Sequence, residues 1–173
     1  TFVTVKSGVT RSGRLTAREV RTVHASGAYG ALKPRAYLST HHYVGGGYRI
    51  PNTLFEFLQV YTNTVPGGYF RAPGAHQYTF ALECHTDLLA RELGMDPAEF
   101  RRVNLMNPGD EDGLGRPIYT LNIREVMDAA LAAAGWANPE DRPDHGRGVA
   151  LFGRQIGGGV AGVVLTAEAD GSF

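Results

Sequence analysis

Apolar and polar residues alternate from Phe2 onward with a period of two. A turn is expected around Ser12-Gly13, so residues 2–9 and 15–25 read as two strands of an antiparallel hairpin. Gly27 and Gly30 end that pattern. Residues 34–43 suit a short helix opened by Pro34 and closed by Gly45-Gly46-Gly47. The run Leu54 to Tyr61 fits either helix or strand by periodicity. Its β-branched and aromatic content, continuing to Thr64, favours strand.

The period then changes to that of a helix. Between Ala75 and Leu93, the residues Tyr78, Ala81, Leu82, His85, Leu88 and Leu89 recur at helical spacing. Glu83, Asp87 and Arg91 mark the other side, with Asp87 and Arg91 spaced for a surface pair worth ~0.3 kcal/mol. Gly94 is a natural stop. Asp96-Pro97-Ala98-Glu99 then restarts helix with an Asp cap, Pro at the first helical position and Glu at the third. Asn107-Pro108-Gly109 ends this second helix, and 109–116 is polar loop. A third helix is expected from Ile123 to Ala134, burying Val126, Met127, Ala130, Leu131 and Ala134 and stopping at Gly135. A polar linker follows, then strand-like residues 147–154 and 160–169 around Gly157-Gly158-Gly159. The order predicts an α+β fold in which antiparallel strands flank a central group of helices.

Composition narrows the functional classes. The 173 residues match one domain or a piece of one. Seventeen basic residues balance 17 acidic ones without forming a stripe, which argues against nucleic acid and membrane surfaces as partners. With a single cysteine, Cys84, the chain can form no internal disulfide and cannot by itself ligate an iron–sulfur cluster; Cys84 reads as a small buried side chain. No apolar run reaches the ~18 residues of a membrane span, and a cytoplasmic location is the default expectation. The chain opens inside a strand pattern without an initiator methionine. It stops just after the turn signal Asp170-Gly171, so residues 1–173 read as a fragment incomplete at both ends.

Several apparent motifs are structural on this reading. The two Gly triplets lack the Lys-Ser/Thr of a phosphate loop, and the six histidines show no zinc-binding helical pair. Arg101-Arg102 reads as a solvated helix face. Glu83 is the one carboxylate of the long helix that can face the preceding loop, and it is assigned a capping or structural role rather than catalysis.

That loop carries the chemistry. Gly67, Gly68 and Gly74 let the backbone adopt positive φ and let a ligand approach the main chain, and Pro73 sets the boundary with the helix. Arg71 beside a helix N-terminus would add a forked donor for a phosphate or a polarised oxygen. Two readings fit: an anion or oxo-group site, or a structural turn with a solvated arginine.

Residues Phe70-Arg71-Ala72-Pro73-Gly74-Ala75-His76-Gln77, with Phe80 to Glu83, Leu93 to Pro97 and Glu99 to Asn104, resemble the molybdenum-binding large subunit of the xanthine dehydrogenase and aldehyde oxidase family. Gly13 to Ala17, Ser26 to Gly30 and Tyr48 to Asn52 agree in order and spacing. The resemblance implies a molybdopterin-binding domain in which Phe70, Arg71 and Ala72 touch the molybdenum–molybdopterin cofactor and Pro73 and Gly74 line the substrate pocket. Xanthine-type members carry a substrate-stacking aromatic where this chain has Pro73. Carbon monoxide dehydrogenases carry a copper-binding cysteine where it has Ala72. Both departures point to an aldehyde or an aromatic N-heterocycle as the small-molecule substrate, hydroxylated with water as oxygen donor. The family's catalytic Gly-Glu segment and Gly-Gln cofactor segments are absent from these residues. No catalytic residue and no direct metal ligand is therefore assigned, and the chain alone is expected to be inactive and cofactor-free. Iron–sulfur clusters and flavin would sit on other domains or subunits, and a homo-oligomer is expected. The rival reading is a non-catalytic structural or assembly module derived from the same family.

Overall fold

The computed structural model describes residues 1–29, 45–66, 75–113, 115–138, 143–153, 166 and 168–170. The expected helix at 34–43 and most of the expected strand at 160–169 lie outside that set. Strands β1 (Phe2–Val9) and β2 (Leu15–Gly27) form the expected antiparallel hairpin, in register from Phe2 opposite Val23, with a bulge at Gly8/Val9. A short turn closed by Thr10 N–H to Arg14 O, 2.9 Å, leaves no other pairing open to them.

Strand β3 (Asn52–Tyr61) corrects the antiparallel expectation. It pairs with β2 in parallel, from Asn52 opposite Ala17 to Tyr61 opposite Gly27, giving a mixed sheet of order β1-β2-β3. The connection from β2 is long enough to return the chain to the same end of the sheet, which a hairpin cannot do. Residues 147–153 belong to no strand, so the second strand group is not seen among the described residues.

Among the described residues there are three helices: α1 (Ala75–Glu92), α2 (Pro97–Asn104) and α3 (Ile123–Ala133). Their ends follow the expected signals, except that α2 stops at Asn104, short of Asn107-Pro108-Gly109. Gly94, at φ +65°, closes α1 with Gly94 N–H to Arg91 O at 3.0 Å and Met95 N–H to Ala90 O at 2.9 Å, and Gly135 closes α3 in the same way. Asp96 caps α2 by accepting from Ala98 N and Glu99 N, with Pro97 at the first helical position.

The buried stripe of α1 is rotated by one residue, about 100°, from the one expected. Ala75, Tyr78, Leu82, Glu83, Thr86 and Ala90 are buried, whereas Phe80, Cys84 and Leu88 form an outward row. Cys84 is thus exposed rather than buried. The rotation follows from polar partners on the neighbouring elements, which let Glu83 and Thr86 go inside in place of Leu88. In α3 only Met127 and Leu131 of the expected stripe are buried, and Val126 is exposed.

Two cores result. Val20, Tyr78 and Leu82 pack with Val3, Val5, Phe55 and Phe57 between the sheet and the first half of α1. Leu15, Ala90, Phe100, Leu105, Met127 and Leu131 pack where α1, α2 and α3 meet. Asn104 fastens this second core to the hairpin: its Nδ2 donates to Gly13 O at 2.7 Å and its Oδ1 accepts from Leu15 N at 2.8 Å.

Candidate cofactor site

Phe70, Arg71, Ala72, Pro73 and Gly74 lie outside the described residues; the structure describes what leads into and out of them. On the incoming side β3 ends against Gly27, whose carbonyl accepts from Thr62 N at 3.1 Å, while Ala28 N donates to Thr64 O at 3.1 Å. Gly27 has φ +87°, and a Cβ there would collide with Pro66. A glycine is required at that crossing. On the outgoing side, α1 begins at Ala75 with no acidic residue in its first turn. No carboxylate in that turn offsets the positive end of the helix dipole, which suits an anionic group held at the loop.

One face of α1 carries His76, Thr79 and Glu83. The Glu83 carboxylate is a hub for three other segments. Tyr48 Oη donates to Oε1 at 2.9 Å, Arg101 Nε and the main-chain N–H of Leu151 donate to Oε2 at 3.0 and 2.9 Å, and Arg101 Nη2 forms an ion pair at 2.9 Å. Arg101 also donates through Nη1 to Asp87 at 2.6 Å and to Pro97 O at 3.1 Å. It is fully buried, which corrects the solvated-face reading; Arg102 alone has that character, pairing with Glu99 and Asp128. Asp87, held by Arg101, is a link between helices rather than half of a surface pair with Arg91.

Protonation states follow from these contacts. Burial pushes the Arg101 pKa down, but Tyr48, Glu83 and the bond to Asp87 outweigh it and leave the value raised, so the guanidinium stays charged. Burial, then the Glu83 charge, pushes the Tyr48 phenol far up, so it remains a donor. A second buried cation, Arg18, sits over the Tyr48 ring at 5.8 Å and donates through Nε to Ser7 Oγ at 3.2 Å. Burial lowers its pKa, and Tyr48 and the Glu83 carboxylate oppose the shift.

Next to the hub lies a mostly apolar cavity of about 300 Å³, lined by Thr79, Leu82, Met106, Ile118, Ile123 and Leu151 among others. Beyond Leu151 the chain turns toward the start of α1, where the Phe152 ring stacks on His76 at 5.9 Å, the planes 9° apart. Among the described residues no group of three or more His, Cys, Asp or Glu is arranged to hold a metal ion, and no helix is long and apolar enough to cross a membrane.

Sequence reading gave Glu83 its structural role but did not find Tyr48, Arg101 or Leu151 as its partners. The available signal was an ionisable residue inside an apolar helix, followed after a sharp helix–helix corner by an arginine pair.

The sequence model of the molybdopterin cofactor-binding domain matches residues 1–105, across the loop and the Tyr48, Glu83 and Arg101 members of the hub. The chain belongs to that family. As a molybdopterin cofactor-binding domain it has relatives among named oxidoreductases. The aldehyde oxidoreductase of Megalodesulfovibrio gigas is 34% identical over 162 residues, 91% of this chain and 18% of that protein. A probable xanthine dehydrogenase subunit from Bacillus subtilis is 44% identical over 108 residues, 62% of this chain and 14% of that protein. In three dimensions, an aldehyde oxidoreductase structure from Desulfovibrio gigas superposes with a TM-score of 0.72 and 35% identity, covering 78% of this chain and 15% of that one. The chain thus spans under a fifth of the length of these relatives.

Proposed function

We propose that this chain lines the molybdenum–molybdopterin site of an oxidoreductase that hydroxylates an aldehyde or an aromatic N-heterocycle with water as oxygen donor. The observation that carries the reading is the family match over residues 1–105, which spans the Arg-containing loop and the start of α1. Phe70, Arg71 and Ala72 would hold the cofactor, the guanidinium of Arg71 and the α1 N–H groups offering donors to its anionic part. Pro73 and Gly74 shape the substrate pocket. When bound, the cofactor supplies the two-electron redox chemistry. This chain binds and orients it.

The base that completes hydroxylation, the iron–sulfur clusters and the flavin belong to other segments or subunits of the parent, so the 173-residue chain alone is inactive and cofactor-free. The parent works in the cytoplasm as a homo-oligomer, without nucleic acid or membrane partners. In the full-length parent, Arg71→Ala removes a preorganised donor and lowers activity by the equivalent of ~2–4 kcal/mol, with α1 intact by circular dichroism. A variant with wild-type activity and molybdenum content refutes the role of Arg71. Efficient xanthine oxidation by the parent refutes that of Pro73.

A further inference from the structure

We infer that Glu83 and Phe152 act as a strut that fixes where α1 begins, and so position the cofactor loop without touching the cofactor; the inference rests on the proposed function. Glu83 is the ninth residue of α1 and His76 the second, so both are on one helix face, about 10 Å apart along the axis. Residues Leu151 and Phe152 run along that face from one to the other. Leu151 N donates to Glu83 at 2.9 Å, and the next side chain, Phe152, runs parallel to His76 in an offset stack.

The deep end of the strut is rigid. Glu83 is buried and is held at the same time by Tyr48 and by Arg101, itself fastened to Asp87 and Pro97 O. The outer end is not self-supporting, because Phe152 is half exposed and its stacking partner sits two residues after Gly74. A tilt of about 5° about Glu83 moves the start of an α1-like rod by about 1 Å. Displacements of ~1 Å at a preorganised site weaken its action by up to about a hundredfold. Glu83 and Phe152 are thus positioning residues, acting through Leu151 and His76.

The test uses the full-length parent and reads molybdenum and oxidised-pterin fluorescence per chain alongside the melting temperature. Glu83→Gln keeps the shape of the side chain and removes its charge. Phe152→Ala cuts only the outer, solvent-facing end, so it remains informative if Glu83→Gln folds poorly. Leu131→Ala, in the core at α3, serves as a control for general destabilisation. The expected result is about tenfold less molybdenum and pterin in Glu83→Gln and Phe152→Ala, with wild-type content in Leu131→Ala at an equal or larger loss of melting temperature. Wild-type content in Phe152→Ala overturns the inference. So does equal loss in Leu131→Ala, since stability alone would then set cofactor content. A wild-type parent without molybdenum or pterin overturns the proposed function, and the strut with it.

Discussion

Replacing Arg101 by methionine removes the cation at the centre of the α1–α2 junction while keeping most of its apolar stem. The arginine side chain is 0% exposed and the Glu83 side chain 7%, so the pair is shielded from solvent. Removing one member of such a pair leaves an uncompensated buried charge, at a cost of about 3–5 kcal/mol. Tyr48 Oη and Leu151 N still donate to Glu83, which places the expected loss at the lower end, about 3 kcal/mol. In a domain of this size that corresponds to a fall in melting temperature of roughly 6–12 °C. The double variant Glu83→Leu/Arg101→Met removes both charges but leaves Tyr48 Oη and Leu151 N without their acceptor, each worth about 1–3 kcal/mol. It should therefore recover little of the loss. Urea titrations of the wild type, the two single variants and the double variant measure the coupling as a cycle. A cost below about 1 kcal/mol for Arg101→Met, the value of a solvated surface pair, would refute the assignment of Arg101 as a buried tie.

Other consequences are open to the same assays. Asn104→Ala removes both bonds to the β1–β2 hairpin and should cost about 2–4 kcal/mol, with amide exchange rising at Leu15, whose N–H loses its acceptor; unchanged protection there would contradict it. Gly27→Ala places a Cβ against the Pro66 backbone at a positive φ and should lower stability by about 1–3 kcal/mol, whereas a neutral result would contradict the close crossing of the two segments. His85, bonded to Ser7 Oγ at 3.1 Å, has its pKa lowered from 6.5 by burial and by the Arg18 charge. The unfolded chain then takes up a proton that the native one refuses. Stability should fall as pH drops from about 7.5 to 5.5, and His85→Gln should weaken that dependence. A urea midpoint that rises over the same interval would contradict the half-buried neutral imidazole.

Elements governed by local signals could be read from the sequence; those governed by partners distant in the chain could not. The hairpin, the Asp96 cap and the Gly94 and Gly135 stops depend on neighbouring residues, and all were legible. The direction of β3 was not, because it is set by a long connection rather than a turn. Nor was the rotation of α1. An apolar stripe drawn from hydropathy places Leu88 inside and Glu83 outside, and only the arrival of Arg101 and Tyr48 from elsewhere reverses the preference. Cys84 was misplaced by the same error. Family membership was legible from the run of residues around Phe70 to Asn104, since the loop, the corner and the second helix carry its spacing.

The claim on which the rest depends is that this loop and helix serve a molybdopterin cofactor. Elemental analysis for molybdenum, combined with pterin quantification on the purified full-length parent, tests it most directly. The account predicts stoichiometric molybdenum and pterin in the wild type and a marked loss of both in Arg71→Ala. Wild-type protein from molybdenum-replete cells that carries neither would contradict it and would favour a non-catalytic module built on the same fold.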